Sequence, residues 1–137
     1  MNIADPQAAF PLELHGAINR DRCSLCDRRT DAVSHHESGL PRCNDCGGPL
    51  RPDVVWFGET LDPVIIGAAQ EVALSADVCL VAGTSALVHP AASLPSMTLR
   101  AGGVLIEVNL EDTTLTNHAE VSLKGRSASL LPRVITA

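Results

Sequence analysis

The second half of the 137-residue chain alternates apolar runs of strand length with longer segments of helical pattern. Residues 54–57 (VVWF), 78–83 (VCLVAG) and 104–109 (VLIEVN) are short apolar runs rich in β-branched residues, and a shorter run lies near residues 121–123. Each is predicted to form a strand. The continuous runs 78–83 and 104–109 are typical of parallel strands that are covered on both faces.

Helical segments lie between these runs. Asp62 and Pro63 are the cap and first-turn residues of a helix that continues through VIIGAAQEVALS. A second helix is predicted over residues 90–100, ended by Gly102 and Gly103. The tail SASLLPRVI predicts a terminal helix. The order of strands and helices predicts an α/β fold, a partial doubly wound (Rossmann-like) parallel sheet.

Composition limits the class of protein. Aromatic residues make up 2% of the chain, so a core must be built from Val, Leu, Ile and Ala. The longest apolar stretch, residues 78–88, is too short to span a bilayer, so we expect no membrane segment. The first ten residues, MNIADPQAAF, lack the pattern of a secretory signal, and a cytoplasmic location is expected.

Four of the five cysteines form the pattern C-x2-C-x16-C-x2-C, which is typical of a zinc site. The expected ligands are Cys23, Cys26, Cys43 and Cys46. The alternative is two disulfides or four buried thiols. A reducing compartment disfavours the disulfides, and the specificity of the spacing favours zinc over both. His35 and His36 lie between the pairs and could replace a cysteine, although four thiolates already complete a tetrahedron. A closed site of this kind is structural rather than catalytic, so the chemistry is expected elsewhere.

Charge separates this segment from the remainder of the chain. Residues 20–51 carry six Arg against five acidic residues, whereas the rest carries four basic and eleven acidic residues. Because the net charge is −6, we do not expect nucleic acid to be the main partner.

Polar residues follow the predicted strands at the edge where parallel sheets bind ligands. Gly83, Thr84 and Ser85 come after the run 78–83, and Asn109 ends the next strand. A glycine there permits close approach of a ligand, and hydroxyl groups can bind phosphate or ribose. Each residue alone could equally be an ordinary turn residue.

Several segments in this order together resemble the sirtuins, which are NAD-dependent protein lysine deacylases. The segments are ELHG from Glu13, CSLC, CNDC, LRPDVVWFGE from Leu50, SADVCLVAGTSALVHPAA from Ser75 and IEVN from Ile106. The resemblance covers the C-terminal portion of a sirtuin, and no glycine-rich nucleotide loop precedes His15. It implies NAD and zinc as cofactors and an acylated-lysine protein or peptide as substrate.

The resemblance also implies roles for single residues. His15 matches the catalytic histidine, which acts as general base on a ribose hydroxyl of NAD. Four residues match positions that contact NAD: Gly83, Thr84, Ser85 and Asn109. Five match positions that bind substrate: Val55 and Phe57 along the acyl-lysine tunnel, and Gly58, Glu59 and Val88 along a peptide that adds as a strand. Cys79 matches no functional position.

Two hypotheses follow from the resemblance and its limits. Residues 1–17 and 49–137 are predicted to form a partial Rossmann-like NAD-binding domain, with a zinc-ribbon-like module at 18–48. The chain is then a sirtuin-type deacylase or a truncated form of one. The alternative is a noncatalytic zinc-containing peptide-binding or interaction module that has lost NAD binding. An incomplete sheet also predicts self-association, or a partner that supplies the missing half.

Overall fold

A computed structural model describes residues 11–32 and 39–135 of the chain. The described residues divide into two compact units, one ending at Ile65 and the other beginning at Ile66. We call residues 11–65 the cysteine unit and residues 66–135 the sheet unit. The predicted partition at residues 17/18 and 48/49 is a different one and stays a prediction.

The cysteine unit contains a three-stranded antiparallel sheet. Its strands are β1 (Gly16–Cys23), β2 (Arg29–Asp31) and β3 (Leu50–Val54), in the order β2-β1-β3. The pairing of β1 with β3 shifts between Ala17 and Asp21, which indicates a β-bulge. The sheet brings the two cysteine pairs together. Cys23 at the end of β1 pairs with Leu50 at the start of β3, and the second cysteine pair lies just before Leu50 in the chain.

The strand predicted at residues 54–57 is wrong. Strand β3 ends at Val54, and residues 56–59 form a turn instead. The physical reason is local: the backbone N–H and C=O of Trp56 both bond to Glu59, through its carboxylate and its N–H. The apolar run 54–57 therefore leaves the sheet after Val54, where Glu59 supplies the hydrogen bonds of the Trp56 backbone.

Ion pairs supplement a small apolar core in this unit. Cys23, Cys43 and Leu50 form its buried cluster. Asp53 is also buried, and its carboxylate accepts hydrogen bonds from Arg20 Nε at 2.7 Å and Arg29 Nε at 3.0 Å. Burial alone would raise the pKa of Asp53, but these two guanidinium groups outweigh it and lower the pKa below the usual range.

The first predicted helix is confirmed as α1 (Pro63–Ser75). The Asp62 carboxylate accepts the backbone N–H of Val64 at 2.9 Å, so Asp62 is the cap and Pro63 occupies the first turn, where its missing N–H costs nothing.

The sheet unit is built on three parallel strands. These are β4 (Val78–Ala82), β5 (Val104–Asn109) and β6 (Val121–Lys124), in the order β4-β5-β6. Helix α2 (Leu94–Arg100) follows a short 3-10 helix at Ala91–Ser93, and α3 (Ser127–Ile135) ends the described chain. The predicted α/β class with a parallel sheet is confirmed, as are the strands 78–83, 104–109 and 121–123 and the terminal helix.

One face of this sheet is packed and the other is partly open. Val81, Leu105 and Leu115 form the buried cluster. Val78 and Leu80 alternate with buried positions on β4 and remain 52% and 45% exposed. The prediction that β4 is covered on both faces is therefore wrong, and among the described residues β4 pairs only with β5.

A buried carboxylate holds the loop between β5 and β6. Glu107 is fully buried and accepts hydrogen bonds from the hydroxyl groups of Thr113, Thr116 and Ser122. Burial would raise the pKa of Glu107, but the hydroxyl groups and then the charge of Lys124 outweigh it and lower the pKa.

No described helix has the length and apolar character needed to cross a membrane.

Candidate functional site

The four predicted cysteine ligands converge in the cysteine unit. Their sulfur atoms all lie within 4.8 Å of one another. The Cys23–Cys46 and Cys26–Cys46 sulfur pairs are 3.4 Å apart, and the Cys26–Cys43 pair is 3.7 Å apart. All four cysteines are free in the structure, which contradicts the alternative of two disulfides, because bonded sulfur atoms would lie about 2.0 Å apart. A tetrahedral zinc ion with bonds of about 2.3 Å needs sulfur separations of about 3.8 Å, which the cluster nearly matches.

Each cysteine pair lies on a tight turn of the same construction. In the first, the Asp27 N–H donates to the Cys23 carbonyl at 3.2 Å, and in the second, the Gly47 N–H donates to the Cys43 carbonyl at 2.9 Å. The Cys23 N–H bonds to the Arg28 carbonyl in the same way as the Cys43 N–H bonds to Gly48. The repeated geometry turns both thiols of each pair toward one point.

The ionisation of these thiols favours a cation among them. The pKa of Cys23 is lowered to about 7, because the N–H groups of Cys26 and Leu25 point to its sulfur. The Gly48 N–H favours a Cys46 thiolate too, but the sulfurs of Cys26 and Cys23 outweigh it and raise the pKa of Cys46 to about 12. The sulfurs compete for negative charge, and a divalent cation would relieve that competition. The donor set therefore fits zinc, and His35 and His36 lie outside the described residues.

His15 lies beside the substrate-binding segment predicted from the sequence. Its side chain is exposed, and its backbone carbonyl accepts the Val55 N–H at 3.0 Å. Gly16, which follows it, has a φ of 76°, and a Cβ there would lie 1.9 Å from the Asp53 carbonyl oxygen. Only glycine fits at that position, and the backbone there sets the position of His15, which immediately precedes β1.

The turn after β3 presents two aromatic side chains. Trp56 is 55% exposed and Phe57 is 98% exposed. Gly58 has a φ of 88° at the third position of the turn, the geometry of a type II turn. Glu59 closes the turn and has a lowered pKa, first because it accepts the Trp56 N–H and second because of its hydrogen bond with Arg51. The structure thus brings His15 and residues 55–59 together in one unit.

The residues predicted to contact NAD meet at one edge of the sheet unit. The Asn109 side-chain amide donates to the Thr84 carbonyl at 2.6 Å, and the Gly83 N–H donates to the Val108 carbonyl at 3.0 Å. Thr84 Oγ1 accepts the Ala86 N–H at 3.2 Å, and Ser85 is exposed. The expected convergence at the carboxyl ends of the parallel strands is therefore present, and the roles of these residues stay predictions.

The remaining singled-out residues lie in the sheet unit. Val88 is 51% exposed and follows the turn that carries Ser85. Cys79 packs against the buried cluster around Leu105, as expected for a core cysteine, and burial raises its pKa.

Sequence reasoning missed Arg51. Its side chain contacts the Val54 carbonyl, the Glu59 carboxylate and the Trp56 ring. Glu59 lies eight residues after Arg51 across a turn, a separation that matches neither helical nor strand periodicity, so no sequence signal could have paired them.

Comparison with known proteins decides the family. The family model of the Sir2 family matches residues 10–90. The chain belongs to the Sir2 family. The resemblance to the sirtuins is thereby confirmed.

Individual relatives agree with this assignment. NAD-dependent protein deacylase 1 of Archaeoglobus fulgidus is 42% identical over 90% of this Sir2-family chain and 51% of its own length. A deacylase of Mycobacterium tuberculosis is 43% identical over 89% and 54%. The chain thus spans about half the length of the curated relatives it matches.

Solved structures agree as well. The crystal structure of a Sir2 homolog–NAD complex matches with a TM-score of 0.84 at 42% identity, covering 90% of this chain and 48% of the other. A complex of Sir2 with a p53 peptide and NAD+ matches with a TM-score of 0.82 at 32% identity, covering 91% and 54%.

Proposed function

We propose that this chain forms part of an NAD-dependent protein lysine deacylase (deacetylase) of the Sir2 type. The observation that carries the proposal is the extent of the match, 42% identity to an NAD-dependent protein deacylase over 90% of this chain. The reaction transfers the acyl group from lysine to ADP-ribose and releases nicotinamide. When bound, NAD supplies the ribose that accepts the acyl group.

His15 is the proposed general base. Its exposed imidazole takes a proton from a ribose hydroxyl, the role of a general base, which histidine fills more often than any other residue. Gly83, Thr84, Ser85 and Asn109 are the proposed NAD contacts in the sheet unit. Their shared position at the strand ends supports this assignment.

The acylated peptide is proposed to contact the turn after β3. Val55 offers its backbone carbonyl to the amide N–H of the acyl-lysine, and Phe57 offers an exposed aromatic face to the acyl chain. Gly58 and Glu59 in the cysteine unit, and separately Val88 in the sheet unit, offer backbone groups to an extended peptide.

Zinc is proposed to be structural. Cys23, Cys26, Cys43 and Cys46 would hold it with no open coordination position, so it takes no part in the chemistry. Cysteine thiols remain reduced in the cytosol, so the proposed cytoplasmic location is consistent with four thiolate ligands.

A histidine replacement tests the proposed function. The chain should be completed with the other half of the Archaeoglobus fulgidus deacylase, and turnover measured as nicotinamide release with an acetylated peptide. His15→Ala should lower turnover at least about a hundredfold, the scale of a general base. His118→Ala, an exposed histidine elsewhere, is the matched control and should be near normal. Near-normal turnover in His15→Ala would remove His15 from the mechanism.

The second candidate is a noncatalytic zinc-containing peptide-binding or interaction module built around the cluster of four cysteines. The half-exposed Val78 and Leu80 on β4 support self-association or a partner on this sheet. Calorimetric titration of the chain with NAD separates the candidates: binding supports the enzyme, and no binding at millimolar NAD supports the module.

A further inference from the structure

Arg51 contacts both ends of the turn that follows β3. One guanidinium nitrogen donates to the Val54 carbonyl at 3.2 Å, before the turn, and another donates to Glu59 Oε1 at 2.7 Å, at its end. The guanidinium carbon lies 4.5 Å from the centroid of the Trp56 ring. The Arg51 side chain is only 15% exposed, so its position is set by these contacts rather than by solvent.

The turn itself has few other restraints. Within residues 56–59 the backbone bond from Glu59 to Trp56 and the Glu59 carboxylate on the Trp56 N–H close the loop. Phe57, at the tip, is almost fully exposed and gains no packing there. Glu59 takes part in both closing bonds, and Arg51 is bonded to that same carboxylate at 2.7 Å, with Arg22 farther away at 3.9 Å.

We propose that Arg51 is a positioning residue that orders the Trp56–Glu59 turn for binding of an acylated-lysine peptide. The flat guanidinium group is suited to this task, because it stacks on the indole ring while its fork bonds a carboxylate and a carbonyl together. A lysine could supply the charge but neither the stack nor the fork. The proposal rests on the proposed function for its ligand, whereas its effect on the turn is independent of any ligand.

The chain reports on this turn directly. Trp56 is the single tryptophan and there is no tyrosine, so intrinsic fluorescence with tryptophan excitation comes from the turn alone. The first experiment measures time-resolved anisotropy of Trp56 in the zinc-loaded chain. Arg51→Gln should increase the fast-depolarising fraction, Arg51→Lys should give an intermediate value, and Arg100→Gln, which removes an exposed charge on α2, should match the wild type.

The second experiment measures binding of a fluorescein-labelled acetyl-lysine peptide to the same four proteins. Arg51→Gln should bind about fivefold more weakly, which corresponds to the loss of about 1 kcal/mol from one guanidinium contact. Zinc content and thermal unfolding should stay near the wild-type values. If Arg51→Gln loses zinc, Arg51→Lys is used for both comparisons.

The two experiments separate the effect of Arg51 on the order of the turn from its effect on peptide binding. Unchanged Trp56 anisotropy in the Arg51 variants would overturn the proposal, and so would altered anisotropy with unchanged peptide affinity. A wild-type chain that does not bind the peptide, either alone or completed with the other half of the Archaeoglobus fulgidus deacylase, would overturn the peptide-binding part of the proposed function. In that case the anisotropy result still decides whether Arg51 orders the turn.

Discussion

The cysteine unit and the sheet unit are stabilised by different interactions. The described part of the cysteine unit has a buried cluster of two cysteines and one leucine, together with arginine–carboxylate pairs. The sheet unit instead packs Val81, Leu105 and Leu115 against one face of a parallel sheet. A short segment that buries little apolar surface needs further stabilisation, such as a bound metal ion. Three strands and their helices can be stabilised by the burial of apolar side chains.

The largest effect is expected from removing a zinc ligand. Cys43→Ala should abolish the one zinc per chain and unfold the cysteine unit, because formation of such a site is coupled to folding. Metal analysis and circular dichroism would measure both. Cys79→Ala, which changes the cysteine of the sheet unit, is the matched control and should retain its zinc. Wild-type protein without zinc, or a Cys43 variant that keeps it, would contradict the four-thiolate site.

A core truncation tests the other side of the comparison. Leu105 is fully buried on β5, so Leu105→Ala should destabilise the sheet unit by about 2–5 kcal/mol. Zinc content should not change. Leu110→Ala, in which the leucine is 65% exposed, should shift stability by no more than about 0.5 kcal/mol. Equal effects of the two substitutions in urea unfolding would show that burial at Leu105 is not what stabilises this unit.

A smaller effect is expected from acid. The pKa of Glu107 is lowered in the folded chain, so its contribution to stability is complete above the usual glutamate pKa of about 4.3 and is lost as pH falls through the lower, folded value. Glu107→Gln should therefore cost about 1–3 kcal/mol at neutral pH and should lose less stability than the wild type on acidification.

Thermal unfolding of both proteins against pH measures this difference. Glu111→Gln, an exposed glutamate in the same loop, is the control and should follow the wild-type curve. If the acid profiles of the wild type and the Glu107 variant were parallel, the hydroxyl partners of Glu107 would not be stabilising its ionised carboxylate.

The sequence predicted features that depend on neighbouring residues better than the surroundings of the candidate site. The apolar runs at 78–83 and 104–109 and the cap at Asp62 are local signals, and the structure has the corresponding strands and helix. The cysteine spacing predicted the four-sulfur cluster for the same reason.

The failures came from side-chain contacts that the apolar pattern does not record. The run 54–57 has strand composition, but Glu59 bonds the Trp56 backbone and ends β3 at Val54. The contacts of Arg51 and Asp53 depend on how strands and turns meet, which no local pattern records. Exposure of Val78 and Leu80 was missed because a continuous apolar run predicts cover on both faces without showing that the cover exists.

Residue-resolved hydrogen exchange with and without a zinc chelator tests the contrast between the two units most directly. After chelation, the amides of β1 and β3 should lose their protection, because the cysteine unit depends on its metal. The amides of β4 and β5 should keep theirs, because apolar packing maintains the parallel sheet. Loss of protection in both units together, or in neither, would contradict the account.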